Sequence, residues 1–405
     1  MNAQNQIRIG FIGLGGRGQG VLSILLDMPD VAVTAVCDLY ADRTEAGARQ
    51  VTASGRPMPF RTQDFREVLA RTDVDCVITP SSWTSHTTIM LAAMQAGKPV
   101  ATEVGGAPTL EECWDLVRTA KATGTPCMML ENCCYGREEM ALLNMNRQGL
   151  FGELIHCQGG YEHDLRSEVA RGLENRHYRF RNYQHRNGDI YPTHALGPIA
   201  KILQINRGNR FISLASFATK TRGIREWAAA NLTPDHPANQ TTFAQADVVT
   251  TILTCARGET VVLTHDTSLP RPYSRGGRIQ GTRGIWMEDK DAIYLEGRSP
   301  LDQWESFRQY LDEYDHPLWR KEDVTNFHVG HGGMDYLILR AFIEPLQAGL
   351  RQLPIDVYDT ATWMAVTALS EQSVALGGHT LPFPDFTAGG WIGRPAAPEH
   401  RYTLD

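Results

Sequence analysis

The sequence has no excess of basic residues and no long apolar run. Its 39 Lys and Arg residues are outnumbered by 46 Asp and Glu residues, which gives a net charge of −7 at pH 7. A chain without blocks of positive charge is not expected to bind nucleic acid or an anionic membrane. No stretch approaches the roughly 18 consecutive apolar residues of a membrane span, and residues 1–6 lack the apolar core of a secretory signal. We therefore expect a soluble, cytoplasmic protein without nucleic-acid or membrane partners.

The eight cysteines form no C-x-x-C pair, and the sequence contains no internal repeat or low-complexity tract. We interpret the cysteines as buried free thiols in a reducing compartment. Cys133 and Cys134 are the alternative case of a reactive pair, although packing is the simpler explanation. Glu162, His163 and Asp164 are consecutive, but neighbouring residues of a strand point to opposite faces, so at most two of them converge. No metal site is expected.

The most specific pattern lies at the start of the chain. An apolar segment over 7–12 leads into Gly13-Leu14-Gly15-Gly16-Arg17-Gly18 and then into a helix. In a dinucleotide-binding turn of this form, Gly13 permits the tight bend, Gly15 lets the backbone approach the pyrophosphate, and Gly18 lets the helix pack on the strand. The N–H groups at the helix start face the anion, so Gly16 and Arg17 are also predicted cofactor contacts.

Asp38 closes a second predicted strand over 31–37, twenty residues after Gly18. A carboxylate there accepts hydrogen bonds from the ribose 2′-hydroxyl and repels a 2′-phosphate, which favours NAD over NADP. The alternative is a glycine-rich turn beside a solvated acid. The order of strand, turn, helix, strand and acid favours the cofactor site.

Strands alternate with helices up to about residue 130, which predicts a doubly wound parallel sheet. Further strands indicate a larger, mainly antiparallel sheet, and they are predicted over 154–161, 212–218, 248–255, 260–267, 278–286 and 292–296. Two helices, over 334–348 and 359–376, return to the body. The fold class is therefore α/β: a Rossmann domain over 1–132, an α+β domain with an open sheet over 133–380, and a Pro/Gly-rich tail over 381–405.

The ligand crevice of such a fold lies outside the carboxyl ends of the parallel strands. This rule places the segment 81–86, Glu103 and Glu131 beside the glycine-rich turn. Polar stretches of the second domain follow or end apolar segments and could project toward the same crevice; they cover 131–137, 159–164, 186–194 and 269–275. His194 is the first choice for a base that takes a substrate hydroxyl proton. The alternative, a buried histidine that caps the next helix, is not excluded by the spacing.

The first domain resembles the Gfo/Idh/MocA oxidoreductases. Ser81-Ser82-Trp83-Thr84-Ser85-His86 stands where that superfamily usually has Thr-Pro-Asn-x-x-His beside the cofactor, and Glu103-Val104-Gly105 stands where its dehydrogenases carry Glu-Lys-Pro. The resemblance makes Ser81, Trp83, His86, Glu103 and Val104 expected cofactor contacts. Because Val104 cannot orient or polarise a reacting hydroxyl as the lysine does, it argues against a plain sugar dehydrogenase.

Longer motifs closely resemble glycoside hydrolase family 109, whose members are NAD-dependent α-N-acetylgalactosaminidases. These motifs cover 131–137, 144–149, 187–198, 268–275, 330–335 and 384–391. The resemblance implies a glycoside or glycan terminus as substrate and places the active-site residues at Glu131, Tyr161, His194 and Tyr273.

The chemistry implied by the family is redox-neutral. Oxidation of the sugar at C3 acidifies the C2 proton, whose removal permits elimination at C1; water then adds and the hydride returns. The resemblance assigns His194 to the 3-hydroxyl, leaves proton transfer at C2 and at the leaving oxygen to Tyr161 and Tyr273, and gives Glu131 a grip on a sugar hydroxyl. Either tyrosine needs a cationic neighbour, such as Arg271 or Arg275, to act as a base near neutral pH.

Two other functions remain open at this stage: an NAD-linked sugar or inositol dehydrogenase, and a non-catalytic NAD-binding regulator on the same fold. Val104 counts against the dehydrogenase. The set of Glu131, Tyr161, His194 and Tyr273 counts against the regulator. The exposed face of the open sheet suggests a homo-oligomer.

Overall fold

The computed structural model describes residues 6–320, 329–396 and 400–405. The chain divides into two compact units. The first comprises Met1–Tyr135, Pro317–Ala361 and Ala396–Asp405, and the second comprises Gly136–His316 and Thr362–Pro395. The first change of unit falls between residues 135 and 136, against 132 in the prediction. Residues 317–361, predicted in the second domain, and 396–405, predicted in the tail, belong to the first unit instead. Residues 397–399 of the expected tail lie outside the described residues.

The secondary structure follows in chain order. The strands are β1 (Ile7–Ile12), β2 (Val31–Cys37), β3 (Phe60–Thr62), β4 (Cys76–Thr79), β5 (Val100–Thr102), β6 (Cys127–Met129), β7 (Leu154–Glu162), β8 (Phe211–Ala218), β9 (Val248–Cys255), β10 (Thr260–Asp266), β11 (Arg278–Gly281), β12 (Gly284–Met287), β13 (Ala292–Leu295), β14 (Glu305–Ser306) and β15 (Leu381–Pro382). The α-helices are α1 (Gly16–Leu26), α2 (Ala41–Ala53), α3 (Phe65–Leu69), α4 (Trp83–Gln95), α5 (Leu110–Thr123), α6 (Arg137–Arg147), α7 (Arg166–Ala170), α8 (Arg179–His185), α9 (Thr193–Ile202), α10 (Gly223–Asn231), α11 (Pro237–Gln240), α12 (Arg308–Tyr314), α13 (Met334–Gln347) and α14 (Val357–Ala375).

The first unit contains a six-stranded parallel sheet in the order β3-β2-β1-β4-β5-β6. Its strands are apolar and mostly buried, as expected where helices cover both faces of a parallel sheet. The strand order reverses between β1 and β4, which is where a doubly wound sheet opens its ligand crevice. The Rossmann prediction is confirmed.

The second unit contains a nine-stranded sheet in the order β14-β13-β12-β11-β7-β10-β9-β8-β15. Strands β7 and β10 pair in parallel and the other neighbours pair antiparallel, so the sheet is mixed but mainly antiparallel, as predicted. The single strand predicted over 278–286 is wrong. The segment is a hairpin of β11 and β12 that turns at Thr282 and Arg283. Gly281 and Gly284 flank these two residues, and a glycine on each side of a polar pair is the signal that separates the two strands.

One face of this large sheet is buried and the other is partly open. Along β9, Val249, Thr251 and Leu253 are buried, whereas the intervening Ile252 and Thr254 are exposed. This alternation is typical of a sheet with one packed face. Pro382 in β15 extends the sheet at its β8 edge, which is a position where a residue without an N–H is tolerated.

The eight cysteines are all buried and none is in a disulfide, as expected. The pair Cys133 and Cys134 is 2% and 4% exposed, which agrees with packing. Within the described residues, no helix has both the length and the apolar character needed to cross a bilayer.

Candidate active site

The glycine-rich turn of the first unit has a shape that only glycine fits. Gly13 has φ 108°, and a Cβ on it would lie 2.8 Å from the backbone of Pro80. A Cβ on Gly18 would lie 2.1 Å from the Gly13 carbonyl oxygen, so α1 packs directly on the end of β1. Gly15 is the N-cap of α1, which leaves the first N–H groups of the helix available to an anion.

Asp38 is fixed at the carboxyl end of β2 and is 8% exposed. Its Oδ2 accepts a hydrogen bond from Leu14 N at 2.7 Å, and its Oδ1 accepts one from Tyr40 N at 3.0 Å. Each carboxylate oxygen can accept a second hydrogen bond. The carboxylate is therefore oriented by the backbone of the glycine-rich turn and retains capacity for a ribose hydroxyl.

The segment after β4 contributes His86, which is fully buried. Its Nε2 donates to the Ser81 carbonyl oxygen at 3.1 Å, and burial lowers the pKa of the imidazole to about 4, so the ring is neutral. Its Nδ1 has no hydrogen-bond partner among the described residues. A buried acceptor in this state costs free energy unless a ligand satisfies it. Trp83 is 2% exposed, and a Cβ on Gly105 would lie 2.4 Å from its ring.

The ends of β5 and β6 carry the remaining predicted residues of this unit. Glu103 is 7% exposed, and its Oε1 accepts a hydrogen bond from Arg17 Nε at 2.8 Å. Val104 is buried next to it. Glu131 is fully buried directly after β6, and its Oε1 accepts from Cys133 N at 3.1 Å. These residues, the glycine-rich turn and Asp38 fit a dinucleotide, since they lie at the carboxyl ends of the strands.

The second unit brings together an aromatic cluster of Tyr161, His163, Tyr191, His194 and Tyr273. The Tyr161 ring centroid lies 4.4 Å from that of Tyr191, 5.7 Å from that of His194 and 6.3 Å from that of Tyr273. His163 lies 5.1 Å from Tyr273 by ring centroids, and its Nδ1 lies 3.3 Å from the Tyr161 hydroxyl. The three residues predicted for this domain therefore lie together, and His163 and Tyr191 join them.

Local structure explains how β7 and its neighbours place this cluster. Tyr161 lies near the end of β7, and Glu162 forms an antiparallel bridge with Ser274, which holds Tyr273 alongside. His194 is the second residue of α9 rather than its cap, which is Pro192. A Cβ on Gly159 would lie 2.6 Å from the Ala195 Cβ, so this glycine lets α9 approach the sheet closely.

Arg179 is the cation of this cluster, and the sequence reasoning missed it. Its guanidinium carbon lies 5.9 Å from the Tyr161 ring centroid and 5.4 Å from the Tyr191 ring centroid. The side chain is 7% exposed and forms an ion pair with Glu168. Burial opposes its charge, but the neighbouring Tyr161, Tyr178 and Glu168 raise the pKa of Arg179 well above its ordinary value. Burial of His163 itself, together with the Arg179 charge, lowers the pKa of the His163 imidazole.

The two arginines expected to support the tyrosines are held by carboxylates. Arg271 forms ion pairs with Glu162 and Asp266, and Arg275 forms ion pairs with Glu139 and Glu288. Arg179 is the guanidinium found over the Tyr161 ring. No sequence pattern marks it, because a buried arginine is revealed only by its tertiary partners.

His194 also borders a partly open cavity beneath the sheet face that α9 covers. Its apolar wall is formed by α6, α9 and the strands β11 and β12. Its polar wall includes Glu139, Gln158, Arg275, Arg278 and Glu288. The His194 imidazole therefore borders both the aromatic cluster and a cavity that has an apolar and a polar wall.

Comparison with known proteins places this geometry in a family. Residues 7–131 match the model of the oxidoreductase family with an NAD-binding Rossmann fold, and residues 135–393 match the model of the glycosyl hydrolase 109 C-terminal domain. The chain belongs to glycoside hydrolase family 109. It is a glycoside hydrolase with a nicotinamide-binding Rossmann domain.

Relatives match over nearly the full length. A glycosyl hydrolase family 109 protein from Stenotrophomonas maltophilia (strain K279a) is 44% identical over 95% of this chain and 90% of that protein. An alpha-N-acetylgalactosaminidase from Tannerella forsythia is 42% identical over 98% of this chain and 89% of that protein.

Solved structures of low identity share the fold. Levoglucosan dehydrogenase in complex with NADH has a TM-score of 0.69 at 18% identity and covers 94% of this chain and 99% of its own. An oxidoreductase from Agrobacterium radiobacter in complex with NAD+, L-tartaric acid and magnesium has a TM-score of 0.68 at 15% identity, over 95% of this chain and 99% of its own. The Gfo/Idh/MocA architecture is confirmed.

Proposed function

We propose that this chain is an α-N-acetylgalactosaminidase that uses NAD in a redox-neutral cycle. The observation that carries the proposal is the aromatic cluster with Arg179 in a chain that belongs to family 109. The name of the Tannerella forsythia relative supports the sugar. When bound, the nicotinamide takes a hydride from C3 of the sugar and later returns it.

Asp38 supports NAD rather than NADP as the cofactor. Its carboxylate is oriented by Leu14 N and Tyr40 N at the position where a ribose 2′-hydroxyl is read. A 2′-phosphate at that position would meet a fixed negative charge. The proposed cofactor contacts are Gly13, Gly15, Gly16, Arg17, Gly18, Asp38, Ser81, Trp83, His86, Glu103 and Val104.

His194 takes the proton of the sugar 3-hydroxyl in this proposal. Its Nε2 lies 3.3 Å from the Tyr191 hydroxyl, so the imidazole is held by a neighbour on the preceding turn. A positioned imidazole is the usual base for a hydroxyl that loses hydride, because its pKa lies near the working pH. A base fixed in one rotamer loses less orientation entropy in the transition state.

Tyr161 and Tyr273 then transfer the protons at C2 and at the leaving oxygen. The guanidinium carbon of Arg179 lies 5.9 Å from the Tyr161 ring centroid, so this arginine is the cation beside the tyrosine. Tyr273 is 51% exposed and is therefore placed to meet the part of the substrate that leaves. Glu131 binds a sugar hydroxyl in this scheme.

A homo-oligomer formed through the open sheet face completes the proposal. On this face the apolar side chains of Phe217 and Ile252 are 54% and 39% exposed. Exposed apolar side chains on neighbouring strands of a sheet are typical of a surface that another copy covers. Phe217→Lys should shift the molar mass measured by light scattering toward the monomer, and an unchanged mass would contradict this arrangement.

We also propose a cytoplasmic location. All eight cysteines are buried thiols without a disulfide, which suits a reducing compartment. Cell fractionation of the producing organism tests this, and recovery of the protein outside the cytoplasm would contradict it.

Cleavage of p-nitrophenyl α-N-acetylgalactosaminide in D₂O tests the activity. The expected result is release of nitrophenol, deuterium at C2 of the released sugar, and no net accumulation of NADH. NADH formed one for one with an oxidised sugar would establish a dehydrogenase instead. Absence of both reactions in a protein that binds NAD would establish a non-catalytic role.

A further inference from the structure

Asp335 lies at the centre of a buried polar network in the first unit. Its carboxylate is 1% exposed and accepts hydrogen bonds from parts of the chain that are far apart in sequence. Arg17 donates from Nη1 to Oδ2 at 2.5 Å and from Nη2 to Oδ1 at 2.9 Å, and Asn132 Nδ2 donates to Oδ1 at 2.7 Å. His331 Nδ1 lies 2.9 Å from Oδ2. One carboxylate thus joins α13 to the glycine-rich turn and to the end of β6.

The partners of Asp335 line the crevice in which the cofactor is expected. Arg17 lies in the first turn of α1, and its Nε also donates to Glu103 at the end of β5. Strand β4 lies between β1 and β5 in the sheet. The Arg17 side chain therefore extends past the carboxyl end of β4, which is the switch point where dinucleotides bind in this fold.

The backbone before α13 is shaped to bring Asp335 to this place. Residues 330–333 all have positive φ, at 70°, 47°, 66° and 103°, and the second of them is His331. This left-handed conformation is unfavourable for a histidine and is kept where the surroundings require it. A Cβ on Gly330 would lie 2.7 Å from Asp335 Oδ2 and 2.6 Å from Ile24 Cδ1 of α1. Glycine at 330 therefore lets the turn pack closely against both Asp335 and Ile24.

Asp335 remains ionised in this arrangement. Burial alone would raise the pKa of its carboxyl, but the hydrogen bonds and charges of Arg17 and His331 hold it well below the ordinary value. In a bidentate pair, the carboxylate and the guanidinium hold each other's planes in one orientation. Arg17 therefore has a defined orientation before any ligand binds.

We propose that Asp335 is a positioning residue for the nicotinamide cofactor, because it fixes Arg17 and Glu103 in one arrangement across the crevice. This inference rests on the proposed function, since it requires the crevice to bind NAD. A preorganised side chain needs no ordering when the ligand arrives, which raises affinity. This role of Asp335 also accounts for the return of the chain to the first unit, because α13 supplies an acid that the Rossmann βα repeats do not contain.

The matched control lies on the same helix. Arg340 of α13 forms an ion pair with Asp30 in the turn before β2, in which one nitrogen, Nη1, lies 2.9 Å and 2.8 Å from the two carboxylate oxygens. This pair also ties α13 to the parallel-sheet region, but it does not involve the glycine-rich turn. Asp335→Asn and Asp30→Asn are therefore the same chemical change at two anchors of one helix.

The experiment measures the dissociation constant of NAD by calorimetry and the melting temperature with and without NAD. Both variants should melt earlier than the wild type without NAD. Only Asp335→Asn should weaken NAD binding, by roughly tenfold, because an Arg17 side chain that is no longer held by the carboxylate must be ordered when NAD binds. Arg17→Lys keeps the charge but loses the bidentate geometry. It should weaken NAD binding in the same direction and serves if Asp335→Asn does not fold.

A folded Asp335→Asn or Arg17→Lys protein with wild-type affinity for NAD overturns the inference but leaves the proposed function intact. An equal loss of affinity in Asp30→Asn overturns it as well, because the effect would then be one of general stability. A wild-type protein that binds no NAD overturns the proposed function and the inference together.

Discussion

The Tyr191 hydroxyl lies 3.3 Å from Nε2 of His194, across one turn at the start of α9. The two rings are perpendicular, with centroids 5.0 Å apart. Tyr191 also contacts Tyr161 and Arg179, so it adds a second link between the proposed base and the cluster, beside the direct contact of His194 with Tyr161. The short segment 191–194 (Tyr-Pro-Thr-His) thus supplies two members of the cluster. Through Tyr191 it also contacts Tyr161 of β7 and Arg179 of α8.

Tyr191→Phe should lower kcat by about tenfold, because one hydrogen bond that orients the base is lost while the ring packing remains. The measurement is kcat on the p-nitrophenyl substrate together with the melting temperature. Tyr310→Phe is the control, since it also removes a tyrosine hydroxyl that donates to a partner, Glu305, at 2.7 Å. A Tyr191→Phe enzyme with unchanged kcat and unchanged stability would show that His194 needs no such support.

His194→Ala should lower kcat by roughly 10²–10⁴, the usual contribution of a positioned proton-transfer group, while NAD stays bound. Partial reduction of bound NAD by substrate should disappear in a single-turnover experiment. His156→Ala is the control, since His156 lies in β7 and bonds to Thr260. If His194 is only structural, the melting temperature falls and the folded fraction keeps its activity.

Asp38→Ala should weaken NAD more than NADP, because only NAD uses the carboxylate while NADP is relieved of a repulsion. Titration of the same preparation with both cofactors measures the ratio. Asp42→Ala, a nearby acid in the first turn of α2, is the control. An equal loss for both cofactors in Asp38→Ala would mean that the carboxylate only supports the turn through Leu14 N.

Gly18→Ala should abolish NAD binding, because the added Cβ would lie 2.1 Å from the Gly13 carbonyl oxygen and displace α1 from the turn. Gly20→Ala on the same helix is the control. A Cβ there meets nothing within 4 Å, and alanine in a helix is favoured over glycine by about 1 kcal/mol, so this variant should be neutral or stabilising. Equal behaviour of the two variants would contradict the close packing of α1 on β1.

The parts of the site that sequence predicted are those whose requirements are local. Gly13 and Gly18 are needed by backbone geometry within one turn, and Asp38 follows a strand at a fixed spacing, so pattern alone identifies them. Arg179 is not identifiable in this way, and the motif at 330–335 contains Asp335 without indicating its role. Each matters through partners that are distant in sequence, such as Glu168 and Tyr161 for the first and Arg17 for the second. Local pattern carries no signal for a contact that tertiary packing creates.

The larger sheet shows the same limit. Alternation of apolar residues located its strands well, since one face is packed. The hairpin of β11 and β12 is not marked by alternation, because residues 281–284 (Gly-Thr-Arg-Gly) carry no large apolar side chain and only the two glycines indicate the turn. The short pairing of β15 with β8 at the sheet edge depends on the returning chain and has no periodicity of its own.

Asp189 makes stability depend on pH near the site. It is 1% exposed, two residues before Tyr191, and its Oδ2 has no hydrogen-bond partner among the described residues. Burial raises the pKa of its carboxyl to about 7, although a backbone hydrogen bond from Tyr191 opposes the shift. In the unfolded chain this carboxyl titrates near its ordinary pKa of about 4.

Between about pH 4 and pH 7 the folded state therefore binds the Asp189 proton and the unfolded state does not, so this group makes stability fall as pH rises. A shift of this size corresponds to about 4 kcal/mol when complete. Asp189→Asn removes the titration. The difference in unfolding free energy between variant and wild type should therefore move in favour of the variant from pH 5 to pH 8, measured by urea denaturation at each pH, while other titrating groups cancel in the comparison. Asp302→Asn, at an exposed position, is the control for the substitution itself. If Asp189→Asn runs parallel to the wild type, Asp189 is ionised in the folded protein and its Oδ2 has found a partner.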